Sequence, residues 1–470
     1  MIDELKTEEH FVPDTALAWA DVPRTVRADA LDRVAGAIDA VEDELVAVAQ
    51  RETHLTTERL HGEVRRTTGQ LRAFAALLAE GEYLDVVVSP SAAERSGIRR
   101  MEFPLGRVAV FAASNFPFAF SVLGGDTASA LAAGCPVTVK IHEGHPETSR
   151  RVAEIANEAL DAVGAPEGLL ETVEGLENGR ELVRDPSIRA VGFTGSFAGA
   201  RALIDVIRTR AEPIPFFGEL GSVNPVVVTP GAAFARAQEI ADGFIESLTL
   251  GVGQYCTNPG LIFVPRASAL AARIADTASS TLAAPMLTNR IAESYRRGVA
   301  ARDADGRLRS ITRGAKDGTA ASAQAWTTDL ATFASDLATF TEELFGPASL
   351  LVEYDDAREL PTVIAQLPGS LTAAVHAEPE ETAITRTLAA VLQRRAGRLI
   401  FNGWPTGVAV CWAMHHGGPW PSSTSPAHTS VGSRAIARWL TPVAFQGWPE
   451  DLLPPDLRDD ADVPRRIEIW

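Results

Sequence analysis

The feature that most constrains this chain is an alternation that runs from Gly106 to Gly195. A β-branched stretch, GRVAVFAAS, ends in a loop holding Asn115 and Pro117; a small-residue helix pattern follows over Gly124 to Gly134 (GGDTASALAAG), and then the apolar run PVTVKI. Strand, helix and strand at this spacing read as a βαβ unit, because parallel strands need a long crossover and that crossover is usually a helix. The pattern continues through a helix from Ser149 to Val163, the turn GAPEG, a strand from Leu169 to Val173, a helix from Gly179 to Arg184 and the strand RAVGFTG. This predicts a doubly wound α/β domain. Its strand ending at Thr194, Gly195 and Ser196 runs into a helix start, where a pyrophosphate could rest on free backbone N–H groups.

The flanks are different. From about 14 to 80 the pattern is helical, with Leu31, Val34, Ile38, Val41, Leu45 and Val48 at threes and fours, then a second helix from near Thr57 with Leu71, Phe74 and Leu78, ending at Gly81. Two strand-like runs, Leu84 to Val88 and Ile98 to Phe103, enclose the polar segment SPSAAERSG and read as a β excursion. After Pro213, IPFFGELGSVNPVVV predicts strand, turn and strand, with Glu219 and Asn224 in the turn region. A second α/β set follows through LIFVP, ASLLVEY, SLTAAVH and GRLIFN. The Ala-, Thr-, Gly- and Asp-rich segment from about 300 to 340 reads as a loop and helix excursion outside the core. WAMHHGGPWPSSTSPAHTSVGSR is loop-like, and TPVAFQGW reads as a last short strand before an acidic, Pro-rich tail. No internal repeat or separate linker is visible.

At 470 residues the chain is long enough for two or three domains, and 46% apolar against 22% charged residues supplies material for large cores. A net charge of -18 with no dense basic stretch opposes nucleic acid, whose binding is driven by Lys and Arg releasing counterions. The cysteines Cys135, Cys256 and Cys411 are far apart and odd in number, which is neither a disulfide framework nor a zinc pattern. The start MIDELKTEEHFVP lacks a secretory signal, and no run of ~18 apolar residues could span a membrane. The expectation is a cytoplasmic protein in a reducing compartment, with no metal.

Cys256 stands in GQYCTNPG, residues 253 to 260, between a helix-like apolar run and the strand-like LIFVP. Such a loop exposes side chains, so the thiol reads as a nucleophile that a substrate can reach. It reads equally as a small packed hydrophobe, since free Cys is among the most buried residue types. Cys135 and Cys411, in small-residue or apolar runs, read as packing residues. His142, His145, His415 and His416 form no helical ligand spacing, and as loop histidines beside Gly and Pro they are expected to be solvated.

NFP at 115 to 117, GCPVTVK at 134 to 140, FTGS at 193 to 196, GEL at 218 to 220, GQYCTNPG and EELFGP at 342 to 347, in that order, resemble the aldehyde dehydrogenase superfamily over nearly the whole chain. Within it, the longer stretches around Asn115, Glu219 and His415 are most similar to the 2,5-dioxovalerate (α-ketoglutaric semialdehyde) dehydrogenases. The resemblance implies an α/β, aldehyde dehydrogenase-like fold. A Rossmann-type cofactor domain over 1–83 and 105–218 would join an α/β catalytic domain over 219–418. A β-ribbon oligomerisation element at 84–104 and 438–450, and a loop and C-terminal tail at 419–437 and 451–470, would complete it. A homodimer or homotetramer is expected by similarity.

It also implies the chemistry. Cys256 would attack an aldehyde and carry the resulting thioester, Asn115 would donate to the oxyanion with the Cys256 N–H, and Glu219 would activate the hydrolytic water. The apolar neighbours Phe216, Phe217 and Leu220 suggest a Glu219 pKa raised towards neutrality. Thr194, Gly195, Ser196 and Gly199 would cradle the pyrophosphate and nicotinamide, the two glycines permitting close backbone approach. Lys140 would bind the adenosine ribose; Glu343 would hold the nicotinamide ribose, with Phe345 packed beside it. The cofactor is NAD or NADP. Glu143 leans the choice to NAD, since a carboxylate accepts from a 2′-hydroxyl and repels a 2′-phosphate.

Each of these residues also has a plainer reading as a turn residue, strand end, helix start or core side chain, and it is their joint presence that favours catalysis. The expected reaction is 2,5-dioxopentanoate to 2-oxoglutarate. The alternatives are a medium- or long-chain aliphatic aldehyde as substrate and, in a different class, a catalytically silent binding or scaffold homologue. No arginine is marked by a motif as the receptor for a substrate carboxylate.

Overall fold

The computed structural model describes residues 15–91, 96–312 and 319–468. The sequence reading of the first thirteen residues lies outside these, as do parts of the 89–97 and 300–340 segments and the end of the tail.

Helices Arg24–Asp39, Glu42–Thr53 and Thr57–Glu80 form the outer layer of the N-terminal half. Thr56 caps the long helix by accepting from the Arg59 N–H, and Gly81 ends it in the left-handed conformation at φ 75, which only glycine adopts without penalty. Its apolar stripe, Leu60, Val64, Leu71, Phe74 and Leu78, is buried against Leu31, Val34 and Ile38 of the first helix.

Beneath lies a parallel five-stranded sheet in the order Leu170–Val173, Val137–Lys140, Val108–Phe111, Ala190–Thr194, Phe216–Glu219. The side-chain period of two serves both faces. Val108 and Val110 enter the core shared with the N-terminal helices, whereas Ala109 and Phe111 enter the core under helices Leu176–Arg184 and Phe197–Ile207. The strand order reverses between Val108–Phe111 and Ala190–Thr194, so the loops leaving these two strands diverge and open a crevice at their carboxyl ends.

The second half is built on a seven-stranded sheet in the order Arg309–Ser310, Gln324–Asp329, Ala348–Tyr354, Leu261–Pro265, Pro225–Val228, Ser370–His376, Ala396–Phe401, parallel except at its first pair. The 300–340 segment is therefore not all excursion. Gln324–Asp329 is an interior strand of this sheet, and Trp326 is only 1% exposed. Its reading failed because QAWTTD buries polar residues, Gln324, Thr327 and Thr328, which leave no apolar alternation to see.

A four-stranded sheet, Leu440–Gln446, Ile98–Pro104, Val86–Ser89 and Arg465–Ile467, stands apart from the other two. Leu440–Gln446 is not the last strand, because the acidic tail returns and pairs Arg465–Ile467 in parallel with Val86–Val88. No helix among the described residues is long and apolar enough to cross a membrane.

Candidate active site

The segment that carries Cys256 begins where helix Ala237–Thr249 ends and the chain turns left-handed through Gly251, Val252 and Gly253, at φ 56, 56 and 66. Val252 is β-branched, and such a residue is rarely found there. At Gly253 a Cβ would overlap the Gly346–Pro347 backbone. Asn224, itself at φ 47, donates its side-chain amide to the carbonyls of Cys256 and Asn258, each at 2.9 Å. Asn258 donates to the Gly346 carbonyl at 3.1 Å. Two facing loops thus fix the backbone on either side of a partly buried thiol.

Asn115 leaves the crevice side of strand Val108–Phe111 and is buried; its Nδ2 donates to the Gln254 carbonyl at 2.9 Å, which holds the amide two residues from Cys256. Glu63, from the long N-terminal helix, braces the same loop by accepting from the Phe118 and Ala119 N–H groups at 2.8 and 3.0 Å. Glu219 is the last residue of its strand and 4% exposed. His416 Nε2 lies 2.8 Å from Glu219 Oε1 and 3.5 Å from Cys256 Sγ, and the Ser430 hydroxyl donates to Glu219 Oε2. The approach of His416 is close but off-axis, with no donor aligned on Oε1, so the contact is electrostatic. The donor atoms of Glu219, Cys256 and His416 lie within 4.8 Å of one another, a spacing that could also hold a cation.

The charges in this cluster oppose each other. Burial pushes the Cys256 thiol well above its ordinary value, and the neighbouring Glu219 carboxylate pushes it further, with Arg66 acting the other way. Burial would also raise Glu219, but the electrostatic contact with His416 and the hydrogen bonds of the Ser430 hydroxyl and the thiol outweigh it, so the carboxyl sits below its usual value. This corrects the expectation of a carboxyl raised towards neutrality, which considered only the apolar neighbours in sequence. Glu219 is ionised at neutral pH and can accept a proton from the thiol or from a water.

The remaining sequence candidates divide between two places. Val173, Lys140, Phe111, Thr194 and Glu219 end their strands near one another, with Phe111 opposite both Lys140 and Phe193, and Thr194 opposite Glu219. Lys140 is buried and its amine contacts the Glu143 carboxylate. Gly195 leads into the exposed first turn of helix Phe197–Ile207, where Ser196 caps the Gly199 N–H at 3.2 Å. Gly195 and Gly199 have an internal reason to lack a side chain: a Cβ on either would press on the Phe193 ring, at 2.9 and 3.1 Å. Glu343 and Phe345 instead lie behind the cysteine loop, around a pocket shared with Ser222, Tyr255 and Asn258. Glu343 faces Gly221, and burial raises its carboxyl to about 7.

His416 is the functional candidate that sequence reasoning missed. Expected to be solvated, it is 2% exposed, because the 415–431 segment folds over the end of strand Phe216–Glu219, with Leu220 N–H bonded to the Ser422 carbonyl. No local pattern marks it, since its partners are distant in sequence. His145 is also buried, bonded to Ser149 and the Ala113 carbonyl, and burial lowers His142 to about 4. Of the two cysteines read as packing, Cys135 is buried but Cys411 is exposed.

Residues 12–440 match the aldehyde dehydrogenase family. The chain is 43% identical to the α-ketoglutaric semialdehyde dehydrogenase 2 of Azospirillum brasilense, over 94% of this chain and 86% of that one. It is 38% identical to the α-ketoglutaric semialdehyde dehydrogenase of Acinetobacter baylyi, over 97% and 89%. Among solved structures, an NAD-dependent aldehyde dehydrogenase of Sinorhizobium meliloti superposes with a TM-score of 0.77 at 22% identity, covering 92% of this chain and 84% of that one. PnpE, solved in complex with nicotinamide adenine dinucleotide, gives 0.77 at 20% identity, covering 91% and 86%. These two likenesses concern the fold.

Proposed function

We propose that this chain, which belongs to the aldehyde dehydrogenase family, oxidises 2,5-dioxopentanoate to 2-oxoglutarate through a thioester on Cys256. The observation that carries the mechanism is the cluster of Cys256, Glu219 and His416 within 4.8 Å. The substrate follows from similarity to the two α-ketoglutaric semialdehyde dehydrogenases.

In this reading the thiol gives its proton to Glu219, with His416 in contact with both groups, and the sulfur bonds to the aldehyde carbon while the carbonyl electrons move onto oxygen. The second N–H of Asn115 Nδ2, whose first is spent on Gln254, donates to that oxygen. The chemistry a bound dinucleotide supplies is acceptance of the hydride. Once Glu219 has passed the thiol's proton to solvent, water attacks the thioester, Glu219 takes the water proton, and the acid and Cys256 thiolate separate.

The carboxyl edge of the five-stranded sheet suits a dinucleotide. Thr194, Gly195 and Ser196 present an exposed helix start for a pyrophosphate, with Gly199 one turn on. Lys140 and Glu143 stand two strands away for the adenosine ribose. Glu143 favours NAD over NADP in this reading, and Glu343 with Phe345 takes the nicotinamide side.

An aliphatic aldehyde is a second reading, favoured by the aromatic cluster of Phe116, Phe120 and Tyr255 beside Cys256. Wild-type kcat/KM for 2,5-dioxopentanoate, a medium-chain aldehyde and a neutral short aldehyde, measured with NAD and NADP in parallel, separates the readings. The carboxylated substrate is expected to lead, with NAD preferred; a lead for the medium-chain aldehyde transfers the assignment to it. Cys256→Ala is expected to abolish turnover on all of them, and no NAD(P)H formation by the wild-type protein would leave a binding or scaffold role.

A further inference from the structure

Helix Thr57–Glu80 places Arg59, Glu63 and Arg66 at i, i+4 and i+7, on one stripe. Two of them have evident tasks. Arg59 donates Nη2 to the Asn115 carbonyl at 2.6 Å and lies over the rings of Phe116 and Tyr255, at 5.0 and 4.7 Å from their centroids. Glu63 holds the Phe118 and Ala119 N–H groups.

Arg66 shares the ring contacts but makes no hydrogen bond like these. Its Nε and Nη2 are shut off from solvent and have no hydrogen-bond partner. Its guanidinium carbon lies 5.5 Å from the Phe116 centroid and 5.3 Å from that of Phe120. Phe116 packs edge-on against Tyr255, centroids 5.5 Å apart, and Tyr255 precedes Cys256 in the chain. The guanidinium is within electrostatic reach of Glu63, Cys256 and Glu219, and burial lowers its pKa.

Donors left unspent away from water are costly to maintain, and rings lining the guanidinium offer its edge no acceptor. The planar fork of a guanidinium fits a carboxylate through two parallel hydrogen bonds. The apolar walls would meet the methylene groups between the ends of a short chain.

We propose that Arg66 receives the carboxylate at the far end of the substrate and so presents the aldehyde carbon to Cys256, making short aldehydes with a terminal carboxylate the preferred class. This rests on the reading of the site as an aldehyde dehydrogenase acting on 2,5-dioxopentanoate. The competing role for Arg66 is support of the Cys256 thiolate, which would be indifferent to the far end of the substrate.

The experiment compares kcat/KM for 2,5-dioxopentanoate with that for a neutral short aldehyde in wild type, Arg66→Met and Arg66→Lys, with melting temperatures for all three. The expected result is a fall in the ratio of roughly 100-fold in Arg66→Met, carried mainly by KM for the carboxylated substrate, and partial recovery in Arg66→Lys. An unchanged ratio, or an equal loss on both aldehydes, overturns the proposal. So does failure of both variants to fold, because an arginine required for folding is not held free for a ligand. A wild-type enzyme with no preference for the carboxylated aldehyde instead overturns the substrate reading, and is recognised before any variant is made.

Discussion

At the scale of single residues, the site is a balance of charges around a thiol that burial keeps protonated. Glu219→Gln removes both the proton acceptor and the charge that raises the Cys256 pKa. Steady-state turnover is expected to fall about 10²–10⁴-fold, with an initial burst of NAD(P)H followed by a stall, because the thiol, freed of the carboxylate's charge, loses its proton to solvent more readily while hydrolysis lacks its base. In the same variant, free of cofactor, the pH midpoint of Cys256 alkylation should move down; wild-type steady state or an unmoved midpoint would assign the base elsewhere. Glu343 gives a stability prediction. Its carboxyl is raised from 4.5 to about 7 in the folded protein, so between these values the native state holds a proton that the unfolded chain has lost. Stability is therefore highest below the lower value and declines as pH rises through the upper one, by up to about 3 kcal/mol. Glu343→Gln should melt above wild type at pH ~8.5 and level with it at pH ~4, a difference that differential scanning fluorimetry of the cofactor-free protein can read. Cys256, Asn115 and Glu219 were legible in the sequence because each sits in a short distinctive stretch. His416 and Arg66 were not, since what sets them apart is contact with residues remote in the chain.

At the scale of elements, the alternation of strand and helix was visible wherever apolar residues alternate or cluster, as in Val108–Phe111 and Val137–Lys140. It was hidden in Gln324–Asp329, where the buried polar residues Gln324, Thr327 and Thr328 break the apolar alternation, and in Arg465–Ile467, where a charged strand is recruited by its neighbour Val86–Ser89. The loop before Cys256 depends on backbone conformation more than on side chains. Gly253→Ala adds a strained φ and an overlap with the Gly346–Pro347 backbone, so both the Cys256 loop and its support must move. The expected outcome is loss of at least 100-fold in kcat, as misplacement of a reacting group costs about that much, with a lowered melting temperature. Retention of wild-type kcat would mean that the loop tolerates a different path.

At the scale of the whole molecule, the four-stranded sheet ends in an open edge, Leu440–Gln446, with Val443 and the nearby Trp448 exposed. An edge with free backbone groups and apolar side chains is a template for another chain, which makes it the place to test the oligomerisation expected from the sequence. Val443→Asp combined with Trp448→Asp should reduce the mass found by light scattering to that of a smaller species; an unchanged mass would move the interface elsewhere. The pairing of Thr194 with Glu219 has a consequence for engineering. The turn suited to a pyrophosphate and the base proposed for hydrolysis share one hydrogen-bonded ladder, so adjustments at Thr194 are transmitted to Glu219. Lys140 lies three strands from Glu219 along the same edge, roughly 14 Å at the usual strand spacing. Cofactor preference could therefore be redesigned around Lys140 and Glu143 as a separable module, leaving the hydrolytic half of the cycle intact.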